Sequence, residues 1–155
     1  MCGIAGLLIP GGAPEAQLAA SAAAMTAALA HRGPDGEGLW VDAASGIALG
    51  HRRLAIIDLS ETGRQPMHDA SGGYVLSYNG EVYNHAELRA GLEARGARFR
   101  GSSDTELLLE VIARDGLEAA LSAANGMFAL ALWDRATRRL ALARDRFGQK
   151  PLAYG

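Results

Sequence analysis

Apolar and polar positions divide the chain into short segments of two kinds, runs suited to strands and runs at helical spacing. Residues 2–9 form an apolar run closed by Pro10-Gly11-Gly12, the pattern of a buried strand. Residues 14–31 read as a helix, with Leu18, Ala22, Met25 and Leu29 recurring at helical spacing and Pro14 in the first turn. His31-Arg32-Gly33-Pro34-Asp35-Gly36 interrupts any regular pattern and reads as a loop. Residues 39–41 and 47–57 read as strands, 58–68 as a polar loop with Gly63 and Pro66, Ser71-Gly72-Gly73 as a turn, and 74–78 as a further strand. A short amphipathic helix is expected over 87–95. Ser103 and Glu106 form a capping-box pair that opens a helix over 104–114. Two apolar runs, 127–133 and 140–143, flank a polar stretch and predict a hairpin with Arg135, Arg138 and Arg139 at its solvated tip. Residues 152–154 begin another strand.

The strands fall into hairpin-like groups with few crossovers. That favours an α+β fold of antiparallel sheets covered by helices over a doubly wound parallel sheet. At 155 residues the chain suits one domain, residues 1–155, with a proper core. Its end after Tyr154-Gly155 has the look of a domain boundary. Apolar residues make up 49% and charged residues 21%, with a net charge of −2. No basic patch argues for a nucleic-acid partner, and no apolar run approaches the ~20 residues that span a bilayer. The single cysteine excludes an internal disulfide and a multi-cysteine zinc site. The four histidines, His31, His51, His68 and His85, lack metal-ligand spacing and read as structural or solvent-exposed. The first residues lack the signature of a signal peptide, so the expected location is cytoplasmic, where a thiol stays reduced.

The position of that cysteine changes the picture. Cys2 follows Met1, and clipping of the initiator methionine would leave it with a free α-amine. An α-amine has a reference pKa of about 7.7–8.0, so it can take the thiol's proton without a histidine partner. On position alone, Cys2 is equally a small apolar residue opening a buried strand. An amidase also needs an oxyanion hole and groups that hold the substrate. Asn79-Gly80, directly after a strand, offers a side-chain amide and a backbone N–H, with glycine allowing a ligand close approach; the same dipeptide suits a plain turn. Arg52 and Arg53 point to opposite faces of a strand, so one can enter a pocket while the other meets solvent, or both are solvated. Asp104 at a helix start is favoured by the helix dipole alone, yet it also suits a substrate ammonium. A carboxylate binder with an ammonium binder would define an α-amino acid.

Taken in order, the motifs resemble the glutaminase domain of class II glutamine amidotransferases, and within that class the glutamine-hydrolysing asparagine synthetases. They are Met1-Cys2-Gly3-Ile4-Ala5-Gly6, His31-Arg32-Gly33-Pro34-Asp35-Gly36, His51-Arg52-Arg53-Leu54-Ala55-Ile56-Ile57-Asp58 and Tyr78-Asn79-Gly80-Glu81-Val82-Tyr83-Asn84. Ser103-Asp104-Thr105-Glu106, Gly126-Met127-Phe128-Ala129 and the run from Arg144 to Leu152 complete the series. The resemblance implies a four-layer αββα sandwich, the N-terminal nucleophile hydrolase fold. It implies cleavage of glutamine to glutamate and ammonia, with Cys2 as nucleophile and Asn79 with Gly80 as oxyanion hole. It assigns Arg53, the arginine that fits the family's His-x-Arg-Leu pattern, to the substrate carboxylate. Leu54, Ile56 and Ile57 would line a wall, and Glu81 and Asp104 would meet the α-amino end. No cofactor is expected in this domain. ATP and Mg are expected only for a synthetase domain, in cis or in trans, that is absent from these residues. A homodimer is allowed, and the ammonia acceptor is expected to be aspartate. Other acceptors (a sugar, an envelope polysaccharide or a peptide carboxylate) remain alternatives, as do a non-catalytic glutamine-sensing module and a hydrolase of unrelated amides.

Overall fold

A computed structural model describes residues 1–155. Strands β1 (Gly3–Leu8), β2 (Gly36–Asp42) and β3 (Ile47–Arg53) form one antiparallel sheet in the order β1-β3-β2. Strands β4 (Met67–His68), β5 (Tyr74–Val82), β6 (Gly126–Asp134) and β7 (Arg139–Arg144) form a second, also antiparallel, in the order β4-β5-β6-β7. The helices are α1 (Glu15–Ala28), α2 (His85–Ala94), α3 (Asp104–Asp115) and α4 (Leu117–Ala123).

Strand periodicity sets the layers. Side chains alternate faces along a strand, so Ala48 of β3 meets Leu18 and Ala22 of α1. Ile47 and Leu49 turn the other way and pack on Val75, Ala131 and Trp133 of the second sheet. The far face of that sheet, with Leu76, Tyr78, Leu130 and Leu132, packs on Leu92 of α2 and on Leu107, Leu108 and Ile112 of α3. The order is helix, sheet, sheet, helices: the αββα sandwich expected from the sequence. Contact between α1 and β3 is so close that a Cβ at Gly50 would overlap Thr26 Oγ1.

Several element ends differ from the sequence expectation. Strand β3 stops at Arg53 rather than at residue 57, because its neighbours run out there, at Gly3 opposite Arg52 and Gly36 opposite Arg53. Strand β5 continues to Val82, carried by residue-for-residue pairing with β6 as far as Gly126. Asn79-Gly80 is therefore neither a turn nor a strand end. Helix α1 ends at Ala28 and passes into a 3₁₀ turn, Ala30–Arg32. Residues 152–154 form no strand, since three residues without a sheet edge beside them gain no ladder bonds. Helix α4 was not anticipated; at seven residues it is too short to show a period. The capping box is half formed. Ser103 Oγ accepts from Glu106 N at 3.1 Å, but the Glu106 carboxylate turns to the Arg100 and Gly101 amides, each at 2.9 Å.

Candidate active site

One cavity, with about 80 Å³ of free space, opens where the two sheets part beyond the end of β3. Met1, Cys2, Arg53, Leu54, Ile56, Ile57, Asn79, Gly80, Glu81 and Asp104 all line it. The nine candidate residues from the sequence thus come together, although they lie on four separate stretches of chain. Cys2 stands just before β1, opposite the end of β3. Its Sγ accepts from the Leu54 amide at 3.4 Å and faces the Leu54 carbonyl at 3.6 Å. Arg32 Nε donates to the Cys2 carbonyl at 3.1 Å. The thiol is half-buried and unpaired with any histidine.

Period-two alternation also aims Arg53. Ile47, Leu49, His51 and Arg53 share the inner face of β3, so the first two fill the space between sheets. His51 Nε2 donates to the Tyr78 carbonyl across it at 3.0 Å, and Arg53 extends past the core into the cavity. Its guanidinium is steadied by the Ser60 carbonyl at 2.8 Å and by the Asp58 carbonyl. Asp58 in turn organises the loop, accepting from Ser60 Oγ (2.6 Å), Ser60 N (2.8 Å), Thr62 Oγ1 (3.0 Å) and Ser102 N (2.9 Å). The Ser60 hydroxyl leads these contacts in holding its carboxyl far below the usual carboxylate range. Arg52 corrects the expectation of a solvated arginine. It points to the opposite face, its Nε donates to the Gly33 carbonyl at 3.1 Å, and its NH1 pairs with Glu37 at 2.5 Å. With only 15% of its side chain exposed, it ties the 31–36 loop to the sheet.

The opposing strand supplies the donors. Along β5, Tyr78, Gly80 and Val82 direct their N–H groups to the edge that the two-residue strand β4 leaves uncovered. Tyr78 N is satisfied by Gln65 Oε1 at 2.6 Å and Val82 N by Asp104 Oδ2 at 3.0 Å. The Gly80 N–H between them faces the cavity. Asn79, on the neighbouring face, also borders it and is buried. The glycine is required for a reason other than ligand approach: a Cβ there would collide with Met127 O and with Phe128 of β6.

Asp104, in the first turn of α3, is 7% exposed. Burial pushes its carboxyl above the usual range, and bonds from Val82 N and from Tyr78 Oη at 3.2 Å oppose this only in part. Burial, then the Asp104 charge, pushes the Tyr78 phenol well above its ordinary value. Burial also lowers His51 to about 4, so the imidazole is neutral at pH 7.

Sequence reasoning missed the supports of the site. Gln65 bridges Tyr78 N and Thr105 Oγ1, the latter at 3.1 Å. Asp145 gathers the amides of Phe128, Phe147, Gln149 and Lys150 at 2.9–3.1 Å. Lys150, 3% exposed, lines the cavity. Asp58, Asp145 and Lys150 lie inside the motifs quoted above, but a polar residue in a loop carries no mark that it will be buried. No group of three His, Cys, Asp or Glu residues is placed to hold a metal ion, and no helix is long and apolar enough to cross a membrane.

Comparison with known proteins agrees with this architecture. The family profile described as a glutamine amidotransferase domain matches residues 1–155. A putative glutamine-hydrolysing asparagine synthetase of Mycobacterium bovis is 46% identical over 98% of this chain and 25% of its own length. The amidase chry2 of Gibberella zeae is 44% identical over 81% of this chain and 18% of its own. The chain thus spans about a quarter or less of these relatives. Among solved structures, the glutamine phosphoribosylpyrophosphate amidotransferase of B. subtilis superposes with a TM-score of 0.67 at 21% identity, over 90% of this chain and 36% of that one. The likeness is one of fold.

Proposed function

The chain belongs to the glutamine amidotransferase domain family, and from that premise we propose that it hydrolyses glutamine to glutamate and ammonia through a Cys2 thioester. Convergence of the nine residues on one cavity supports the reading. Arg53 takes the glutamine α-carboxylate as a charge-assisted pair. Asp104 and Glu81 take the α-ammonium, which gives the incompletely satisfied Asp104 charge a partner. Leu54, Ile56 and Ile57 flank the methylenes. The amide oxygen then points to Asn79 and the Gly80 N–H.

The steps balance without an external base. The Cys2 α-amine, once Met1 is removed, accepts the thiol proton as Sγ attacks the amide carbon. Negative charge moves to the oxygen and is met by Asn79 Nδ2 and Gly80 N–H. As the C–N bond breaks, the α-ammonium returns the proton to the leaving nitrogen, and ammonia departs. Water, deprotonated by the same amine, attacks the thioester; the tetrahedral adduct collapses, glutamate leaves and the thiol is restored. While Met1 remains, the Cys2 nitrogen is an amide with no basic lone pair, and the Met1 side chain occupies the cavity wall. Met1 is 51% exposed, so an aminopeptidase can reach it.

The ammonia serves an ATP-dependent synthetase domain, in cis or in trans, with aspartate as acceptor. The asparagine synthetase relatives support that choice, and ATP and Mg²⁺ belong to that domain in this reading. Purified protein with Met1 removed should release ammonia from glutamine, and a variant with an added N-terminal residue should fold but release none. Asn79→Ala should lower kcat by about 10²–10³ with a smaller change in KM; a change in KM alone would assign Asn79 to ground-state binding. A parent protein given glutamine, ATP and aspartate should form asparagine. Turnover only with another acceptor would keep the glutaminase and remove the asparagine assignment.

A further inference from the structure

Lys150 is the one lysine of the chain, and it is buried. Its backbone N–H is fixed on Asp145 Oδ2 at 3.1 Å. Its Nζ donates to Met1 Sδ at 2.6 Å, across 149 positions of sequence, and no carboxylate pairs with it. Buried lysines are rare unless paired, and a thioether is a weak acceptor. When Met1 leaves, the ammonium loses that partner but stays in the cavity that Cys2, then the first residue, also lines.

We propose that Lys150 is a positioning residue for catalysis: its charge, with that of Arg32 on the Cys2 carbonyl, keeps the released α-amine unprotonated and ready to accept the thiol proton. The inference rests on the thiol mechanism above and assigns a group that mechanism leaves unused. A like charge nearby disfavours an ammonium, more so where water is excluded. Other charges around the cavity are already committed. Asp58 is held by Ser60, Thr62 and Ser102. Asp145 is spent on four amides. Arg53 leans on the 58–60 carbonyls and waits for the substrate carboxylate. Glu81 borders the cavity without an ion pair. Asp104, which also borders it without an ion pair and whose carboxylate accepts from Val82 N and Tyr78 Oη, joins Glu81 in opposing Lys150, and the substrate ammonium engages both in the Michaelis complex.

The test compares the protein with Lys150→Met, Lys150→Gln and Lys150→Arg, each checked by intact mass for loss of Met1 and by melting for fold. The kcat/KM for glutamine is followed from about pH 5 to about pH 9, the range in which an α-amine titrates. Lys150→Met and Lys150→Gln should move the midpoint of the acid limb up by about one unit, and Lys150→Arg should restore it. KM at the alkaline end should stay within about twofold, since Lys150 adds no ground-state contact. Competitive labelling of the α-amine against pH should show the same displacement without any turnover. An unmoved midpoint with a raised KM would make Lys150 a glutamine contact and overturn the proposal. So would an equal loss at every pH that arginine fails to rescue. If no variant, nor the parent sequence, releases ammonia, the glutaminase reading fails, while the labelling curves still decide whether Lys150 acts on the amine.

Discussion

Asp58 and Asp104 border the same cavity and are each 7% exposed, but Asp104 lies much deeper among protein atoms, and their carboxyls are driven in opposite directions. Asp58 sits inside a finished shell of two hydroxyls and two amides and is held far below the ordinary range. Asp104 accepts from Val82 N and Tyr78 Oη, with the Thr105 amide and its own close by, and its deeper burial outweighs them. The difference separates architecture from readiness. A carboxylate whose donors all come from the chain shapes a loop, here the loop that steadies Arg53. In the proposed function, a carboxylate buried with an incomplete shell, as Asp104 is, is the one kept for the substrate ammonium.

The two can be set against each other directly. Asp104→Asn should lower kcat/KM for glutamine by a factor equivalent to about 2–5 kcal/mol, the range for truncating one partner of a buried charge pair. The same change should leave the free protein as stable at pH 7, or more so by up to about 1 kcal/mol. The sign follows from linkage. A carboxyl whose folded pKa lies above its unfolded value makes the folded state bind protons more tightly, so stability falls as pH rises through that interval. Asp58→Asn should do the reverse. It should cost about 1–3 kcal/mol at neutral pH by leaving buried donors poorly matched. The Asp58 contribution is full above the unfolded carboxylate pKa and is lost as pH falls toward the folded one. If Asp104→Asn melted well below the parent, Asp104 would be structural and the comparison would collapse. Paired melting curves and glutamine kinetics decide it.

His51 sharpens the same contrast at the junction of the sheets. Its folded pKa of about 4 lies below the ordinary value, so its contribution is present above about pH 6.5 and drains away as pH falls toward about 4, up to about 3 kcal/mol in all. Denaturant melts at several pH values should show that slope. In His51→Gln, which keeps a donor for the Tyr78 carbonyl, it should be flattened.

The smallest effect concerns the arginine pair. Arg52→Ala should reduce stability by about 1–2 kcal/mol through loss of the Gly33 and Glu37 contacts, with KM for glutamine little changed. A large rise in KM would mean that the 31–36 loop shapes the pocket rather than merely closing the sheet edge.

Much of this molecule was legible before any coordinates. Alternation along the strand already set Arg52 and Arg53 on opposite faces, because strand geometry fixes the faces locally. The Ser103 cap and the hairpin turn at Arg135 and Arg138 were legible for the same reason, since turn and cap chemistry is short-range, whereas Arg139, expected at the tip, opens β7 opposite Asp134. The ends of β3 and β5 were not. A strand continues only while a neighbour offers partners, and those neighbours lie tens of residues away. Arg52 was misread as solvated because its acceptors, Gly33 and Glu37, belong to another segment.

The site divides along the same line. Residue types offered Cys2, Asn79, Gly80, Asp104 and one of two arginines as candidates for amide cleavage, and the resemblance to the amidotransferase family singled out Arg53 and gave each its role. What the order of residues could not supply is which donors each charge meets. Only the packed sheets decided that Asp58 would be satisfied and Asp104 left wanting, that the Gly80 N–H would be an open donor at the sheet edge, and that Lys150 would reach the first residue of the chain. Electrostatics inside a protein depends on distance and on the exclusion of water, and both come into being only when segments remote in sequence close over one another.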